Sequence, residues 1–321
     1  MTRIFQTRRW PDTAEQALDG LGDVKRWTDD RPLSARELRV GLASADVFCP
    51  TVSDTIDALV LGDLDLSGKL IANFGAGTSH IDVAAARAAG AVISNTPDVL
   101  TDCTADVAML LILAVARRAG EGERQLRAGA WPGWHPIHMM GKQVSGSVLG
   151  LVGFGRIAQA IAQRAAKGFG MEILVWNRSP VASDLLAACA ARQVGTLDEL
   201  LARADFVSLN IPGGQQTHHL IDAGRLQKMK PTAFLINTAR GSVVDEAALV
   251  QALDQGVIAG AGLDVFEEEP RVHPGLLQRE NVVLLPHLGS ATMETRVAMG
   301  LRVAENIRHW QAGEPLRDPV A

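Results

Sequence analysis

Along nearly the whole chain, short β-branched or apolar runs alternate with longer Ala- and Leu-rich stretches, and this alternation restricts the fold more than any other feature. Strands separated by helices pair in parallel, because each helix returns the chain to the same end of the sheet and covers one of its faces. In the first third, RIFQT (3–7), ADVFC (45–49), LIANF (70–74) and AVISN (91–95) read as strands, with helical patterns near 13–19, 53–61 and 80–89. A second series begins after a loop rich in Trp, Pro, Gly and His (129–141), with strands expected at 147–153, 172–177, 205–211, 232–238, 259–265 and 282–286. These are mostly continuous apolar runs, as strands buried on both faces should be. Helices are expected over RIAQAIAQRAAKGF, DEAALVQALDQG and TLDELLARA, the last with a capping box from Thr196 to Glu199. The segment TDCTADVAMLLILAVARRA reads as a long, largely buried helix connecting the two series. Thr101 and Asp102 suit its start, and Arg117–Arg118 its last turn. The final amphipathic stretch, TMETRVAMGLRVAENIRHWQAG, is long enough to return to the first lobe.

A length of 321 residues suggests two domains. The net charge of −5 carries no block of like charge, aromatics are 4% and Tyr is absent, so nothing is built to hold or stack on a nucleic acid. The longest purely apolar run, Val107 to Ala116, is about half of a membrane span, which argues against a membrane protein. The N-terminus lacks an apolar signal core, and the three scattered cysteines (Cys49, Cys103, Cys189) fit a reducing compartment; a cytoplasmic location is expected.

The sequence GLVGFGRIAQAIA places Gly153-x-Gly155-x-x-Ala158 between a strand and a helix. The first glycine permits a tight turn, the second lets backbone N–H groups approach a pyrophosphate, and the small third residue lets helix and strand pack closely. A dinucleotide cradle over Gly153, Phe154, Gly155, Arg156 and Ile157 is expected, with the helix N-terminus facing the phosphates. The following strand runs out through Asn177, Arg178 and Ser179 instead of an acidic residue, a set that suits NADP(H), with NAD(H) as the alternative.

Three segments late in the second series carry groups suited to ketone reduction: Arg240 in INTARGSVVD, Glu269 in AGLDVFEEEP and His287 in LLPHLGSAT. Each follows a predicted strand, at the end where open α/β sheets bind ligands. Hydride transfer to a 2-oxo acid places negative charge on the carbonyl oxygen. It therefore needs a proton donor, a nearby cation and a carboxylate that keeps the donor imidazole oriented. His287, Arg240 and Glu269 would fill those roles. Singly, each could instead be a surface cation, part of a solvated acidic run or a core histidine, and spacing alone does not bring them together.

The segments NTPDVLTDCTADVA, GLVGFGRIAQ, INTARGSVVDEAAL, GAGLDVFEEEP and LPHLGSAT together resemble the D-isomer-specific 2-hydroxyacid dehydrogenase family, most nearly its glyoxylate/hydroxypyruvate reductase branch. The resemblance covers nearly the whole chain and is strongest from about 73 to 296. It implies two doubly wound parallel-sheet lobes, a Rossmann cofactor domain (100–287) inserted in a flavodoxin-like substrate domain (1–99 and 288–321). It implies catalytic roles for Arg240, Glu269 and His287. It also implies that Asp264 holds the nicotinamide carboxamide, with Thr104 and the Thr238–Ala239 backbone near the ring. The Gly75-Ala76-Gly77-Thr78 loop can turn N–H groups toward an anion, and the resemblance assigns the substrate carboxylate to Ala76 and Gly77. Similar reductases are dimers in which a tryptophan of the 129–141 loop reaches the partner's site, which implies a homodimer and a substrate-side role for Trp134. Ala158 stands where glycine is usual, and Asn73-Phe74-Gly75 is a variable stretch that bears on substrate preference.

His135-x-x-His138 has no third ligand nearby in sequence, and His218–His219 and His273 lie in loops without obvious partners, so a metal-free enzyme is expected. The expected activity is NADP(H)-preferring reduction of a small 2-oxo acid, glyoxylate or hydroxypyruvate. The competing readings are a dehydrogenase of a bulkier D-2-hydroxy acid and a dinucleotide-sensing, corepressor-like interaction protein.

Overall fold

The computed structural model describes residues 1–29 and 31–320. They fall into two compact units, residues 1–100 with 290–320, and Thr101–Gly289. In the first, β1 (Arg3–Gln6), β2 (Asp23–Arg26), β3 (Val47–Cys49), β4 (Leu70–Ala72) and β5 (Val92–Ser94) form a parallel sheet in the order β2-β1-β3-β4-β5. In the second, β6 (Val148–Val152), β7 (Glu172–Trp176), β8 (Ala191–Gln193), β9 (Phe206–Leu209), β10 (Phe234–Asn237), β11 (Gly260–Leu263) and β12 (Val282–Leu284) run parallel in the order β12-β11-β10-β9-β6-β7-β8. The first order is flavodoxin-like; the second is the Rossmann order with one strand added.

Both sheets bury both faces, which is why their strands lack a polar alternation. On β6, Leu149 and Leu151 enter one core cluster and Val152 the other; on β7, Ile173 and Val175 oppose Leu174. The five-stranded sheet repeats this, with Phe5 and Phe48 on one side and Ile4, Val47 and Cys49 on the other. The long helix Thr101–Ala116 lies over the seven-stranded sheet, burying Thr104, Ala105, Ala108, Leu111, Ile112 and Val115. Arg164 of helix Arg156–Phe169 fastens it by bonds to Asp102 and Asp106. After Ala116 the chain turns through Arg118, at φ 53°, into the helix Ala119–Arg127.

Several elements differ from expectation. β2 (DVKR) and β8 are edge strands with little burial, so no apolar run announced them. Helix Ala35–Ser44 opens on a full capping box between Ser34 and Glu37. At Thr196 only half of the expected box forms. The hydroxyl accepts from the Glu199 N–H, but the Glu199 carboxylate takes the N–H of Gly195. The helix expected at 53–61 begins at Ala58, because Ile56 bridges Ile81 and the Asp57 side chain caps the first turn. No helix among the described residues is long and apolar enough to cross a membrane.

Helix Met293–Ala312 packs on helix Asp12–Asp19 so closely that a Cβ at Gly300 would lie 2.3 Å from that of Ala14. Gly300→Val should therefore destabilise the protein by about 1–3 kcal/mol, the usual effect of overpacking. Urea unfolding midpoints check this, and an unchanged midpoint would contradict the contact.

Candidate active site

The cradle is built at the point where the order of the seven-stranded sheet reverses, between β6 and β9. Gly153 sits at φ 87°, and a Cβ there would lie 2.6 Å from Ile211 Cγ2 and 2.7 Å from the Asn210 carbonyl oxygen. Gly155 is the N-cap of helix Arg156–Phe169, and among the described residues no side chain caps that end and nothing would lie within 4 Å of a Cβ at this position. Phe154 is turned into the core, so only its backbone faces the turn, and its carbonyl accepts a bond from Gln159 Nε2. Ala158 is fully buried against the sheet, as close helix–strand packing requires. Ile157 is partly buried and Arg156 exposed.

The turn after β7 is braced by its own side chains. Asn177 Nδ2 donates to the Ser179 carbonyl, and Gln193 Nε2 donates to the same oxygen. Arg178 reaches across to Gln216 Oε1, at 2.8 Å. No carboxylate stands at the end of β7, where one would repel a 2′-phosphate.

The loops after β10, β11 and β12 converge. Asn237, fully buried, closes the first of them: its Oδ1 accepts from Ala239 N and its Nδ2 donates to the Arg240 carbonyl. Arg240 Nη1 donates to the Ala239 carbonyl. Its guanidinium is shifted below the ordinary arginine value by burial, against the pull of the Glu269 charge, and it keeps its proton across the physiological range. Next to it, the Gly241 peptide presses on the neighbouring loop, where a Cβ would lie 1.8 Å from the Phe266 carbonyl carbon.

Glu269 Oε1 accepts the Phe266 N–H at 3.0 Å and Oε2 meets His287 Nδ1 at 2.8 Å. His287 sits at φ 55°, and its N–H donates to the Asp264 and Leu285 carbonyls. Asp264 anchors this turn: its two carboxylate oxygens accept the N–H groups of Leu288 and Gly289, at 2.6 and 2.8 Å. Burial nevertheless raises its pKa above the ordinary value. Thr104 Oγ1 donates to the Gly289 carbonyl. A carboxylate accepts from Nδ1, so His287 carries Nδ1–H and presents Nε2 outward from the pair. Arg240, Glu269 and His287 are thus brought together. Ala76 and Gly77 lie in the other unit, in a half-buried loop after β4, and Trp134 lies in the 129–141 loop with 82% of its surface exposed.

Residues not singled out from the sequence complete the site. Asn237 shapes the Arg240 turn, and Asn210 and Gln216 come from the loop after β9, whose position at a strand's carboxyl end was the available signal. His219 is not without a partner, for its Nε2 lies 2.5 Å from Glu267 Oε1, and His273 Nδ1 accepts the Gly275 N–H to cap a short helix. His218, His219 and Glu267 place ligand atoms within 4.8 Å of one another, outside the Arg240–Glu269–His287 group.

Two buried polar atoms here, Thr238 Oγ1 and Asn210 Oδ1, have no partner among the described residues. With the uncapped helix end and the space over Gly155, they fit a nicotinamide dinucleotide. A Rossmann sheet with this cradle and a cation–carboxylate–imidazole group defines an NAD(P)-dependent oxidoreductase. Residues 109–289 match the D-isomer specific 2-hydroxyacid dehydrogenase, NAD binding domain family. The chain is 45% identical over 318 residues to a glyoxylate reductase of Thermococcus onnurineus, covering 97% of this chain and 93% of the relative. Among solved structures it is similar to an NADPH-dependent glyoxylate/hydroxypyruvate reductase of Sinorhizobium meliloti in complex with NADP and malonate (TM-score 0.88, 34% identity, 100% of this chain and 97% of that one). It is likewise similar to a glyoxylate reductase of Paecilomyes thermophila (TM-score 0.87, 35% identity, 99% and 98%). The chain belongs to the D-isomer specific 2-hydroxyacid dehydrogenase family.

Burial raises the pKa of Glu269, but the hydrogen bond and charge of His287, the Phe266 N–H and Arg240 outweigh it, leaving the carboxyl below its ordinary range. A depressed folded value means that the stability contributed by the ionised form is present at neutral pH and is lost as pH falls through that value. The Tm gap between wild type and Glu269→Gln should therefore be widest near pH 7 and close as the pH drops below the ordinary glutamate value of about 4.3. A gap constant with pH would show that the charge is not engaged.

Proposed function

We propose that this chain reduces small 2-oxo acids, glyoxylate and hydroxypyruvate, to the 2-hydroxy acids with NADPH, giving the D isomer where the product is chiral. The observation that carries the reading is the His287–Glu269 hydrogen bond beside the half-buried Arg240, in the same unit as the dinucleotide cradle. The glyoxylate reductases it resembles support the substrate class. In this reading Thr101–Gly289 is the dinucleotide-binding domain, and the other unit is the substrate domain.

A bound dinucleotide would supply the hydride. His287 donates its Nε2 proton to the oxygen of the substrate carbonyl, which becomes the hydroxyl of the product, and His287 is left as neutral imidazole. Glu269, accepting from Nδ1–H, orients the ring. Arg240 offers a cation to the developing alkoxide, and burial strengthens that interaction. In the reverse direction neutral His287 takes the alcohol proton. Thr238, Ala239, Thr104 and Asp264 would surround a bound nicotinamide. Asp264 spends one acceptor position of each oxygen on the 288–289 turn and keeps others for the carboxamide. Gly153 to Ile157 would hold the pyrophosphate, and Asn177, Arg178 and Ser179 the 2′-phosphate, Arg178 exchanging its bond to Gln216 for the anion.

The exposed side chains Leu126, Trp131, Trp134, Ile137 and Met140 support a homodimer through this stretch, with Trp134 reaching the partner's substrate. The free cysteines Cys49, Cys103 and Cys189 support a reducing, cytoplasmic setting.

His287→Asn should lower kcat by about 10²–10⁴-fold while NADPH affinity survives; stopped-flow turnover beside NADPH titration checks this, and wild-type-like kcat removes His287 from the chemistry. Arg178→Ala should raise the KM for NADPH by about tenfold or more and leave that for NADH nearly unchanged. A wild type preferring NADH would overturn the cofactor assignment.

A further inference from the structure

The loop after β4 has an unusual distribution of hydrogen bonds. The Gly75 carbonyl accepts from Thr96 N and from Asn73 Nδ2, the Gly77 carbonyl from Asn73 Nδ2, and the Ala76 carbonyl from Asn95 Nδ2 at 2.7 Å. Three successive carbonyls are therefore tied down, two of them by one asparagine that is fully buried. In a planar trans peptide the C=O of one residue and the N–H of the next point in opposite directions. Fixing the carbonyls of Gly75, Ala76 and Gly77 consequently aims the N–H groups of Ala76, Gly77 and Thr78 the other way. None of these three N–H groups has a partner among the described residues, and the loop is half-buried. Successive unpaired N–H groups of this kind form an anion-binding concavity.

The asparagine orientation follows from chemistry. Carbonyl oxygens only accept, so the amide face toward Gly75 and Gly77 must be the NH₂. Asn73 Oδ1 then faces His80, whose Nε2, 3.0 Å away, must be the donor. Asn95 is held in turn by the C-terminal segment: its N–H donates to the Asp318 carbonyl, and Ser94 bridges Pro319. Asp318 is locked by Arg302 and Asn306.

We propose that Asn73 and Asn95 are positioning residues for substrate binding: by holding the carbonyls of Gly75, Ala76 and Gly77, they aim three N–H groups at one carboxylate, that of the substrate. The proposal rests on the functional reading above, which gives this loop the substrate carboxylate. That carboxylate keeps its charge through hydride transfer, so N–H groups aimed at it stabilise ground state and transition state alike. Loss of their alignment should appear in KM and leave kcat in place, whereas a generally loosened unit would lower kcat and Tm together.

The test uses Asn73→Ser, Asn95→Ala and Asn95→Asp in the full chain with NADPH, and oxamate as a carboxylate probe. The expected result is a rise of about tenfold in KM for glyoxylate and in the inhibition constant for oxamate, with kcat and NADPH affinity within about twofold of wild type. Asn95→Asp keeps the size but loses the donor, so it should be impaired at least as much as Asn95→Ala; a wild-type-like Asn95→Asp enzyme would assign the effect to packing and overturn the proposal. If Asn73→Ser does not fold, the two Asn95 variants decide. Unchanged oxamate and glyoxylate constants in an active enzyme overturn the role of the asparagines alone. A wild type that turns over no small 2-oxo acid overturns the functional reading instead, and thermal protection by oxamate, compared across the variants, then decides the loop's role without turnover.

Discussion

The chemistry of this fold depends on two loops brought into backbone contact. Where the Gly241 peptide meets Phe266 and Glu267, no side-chain atom fits between them. That contact sets Arg240, one residue before, beside Glu269, two residues after, and gives each an environment that neither loop provides alone. Arg240 is desolvated next to a carboxylate, and Glu269, partly shielded from solvent, is held ionised by cationic and N–H partners. A glycine in a strained or crowded position is usually read as a turn former. Here φ is not the constraint; the missing side chain is.

Around that contact, buried polar residues convert strand ends into defined turns. Asn237 closes the loop after β10, Asp264 fixes the residues following His287, and Asn73 does the same work beyond β4 in the other unit. All three are fully or almost fully buried, where an unpaired amide or carboxylate would be strongly unfavourable. Each is instead bonded to backbone groups, with His80 taking the remaining oxygen of Asn73, so the shape of the loop and the satisfaction of the buried group are a single condition. Loops fixed in this way hold their groups in place before any ligand arrives, which is the preorganisation that electrostatic catalysis requires.

The parallel architecture was legible because strands buried on both faces leave long apolar runs, and because the glycine turn fell between such a strand and a helix. β2 and β8 were not, since an edge strand such as DVKR carries no hydrophobic signature. Arg240, Glu269 and His287 could be singled out by residue type and by their place after strands, but their convergence could not. It depends on parallel strands β10, β11 and β12 being adjacent, with the three groups 29 and 18 positions apart along the chain. The supporting asparagines were harder still to see, because an Asn in a loop reads as a solvated turn residue until its carbonyl partners are known. His219 illustrates the same limit: Glu267 lies 48 residues away along the chain and in contact with it in space.

Thr104, in the first turn of helix Thr101–Ala116, is hydrogen-bonded to the carbonyl of Gly289, the last residue of the same unit. The two ends of that unit are therefore clasped to each other. A segment closed in this manner has the form of a cassette: both of its crossings into the rest of the polypeptide lie near one hydrogen bond, so that swapping it between relatives would leave the remainder of the chain unaltered.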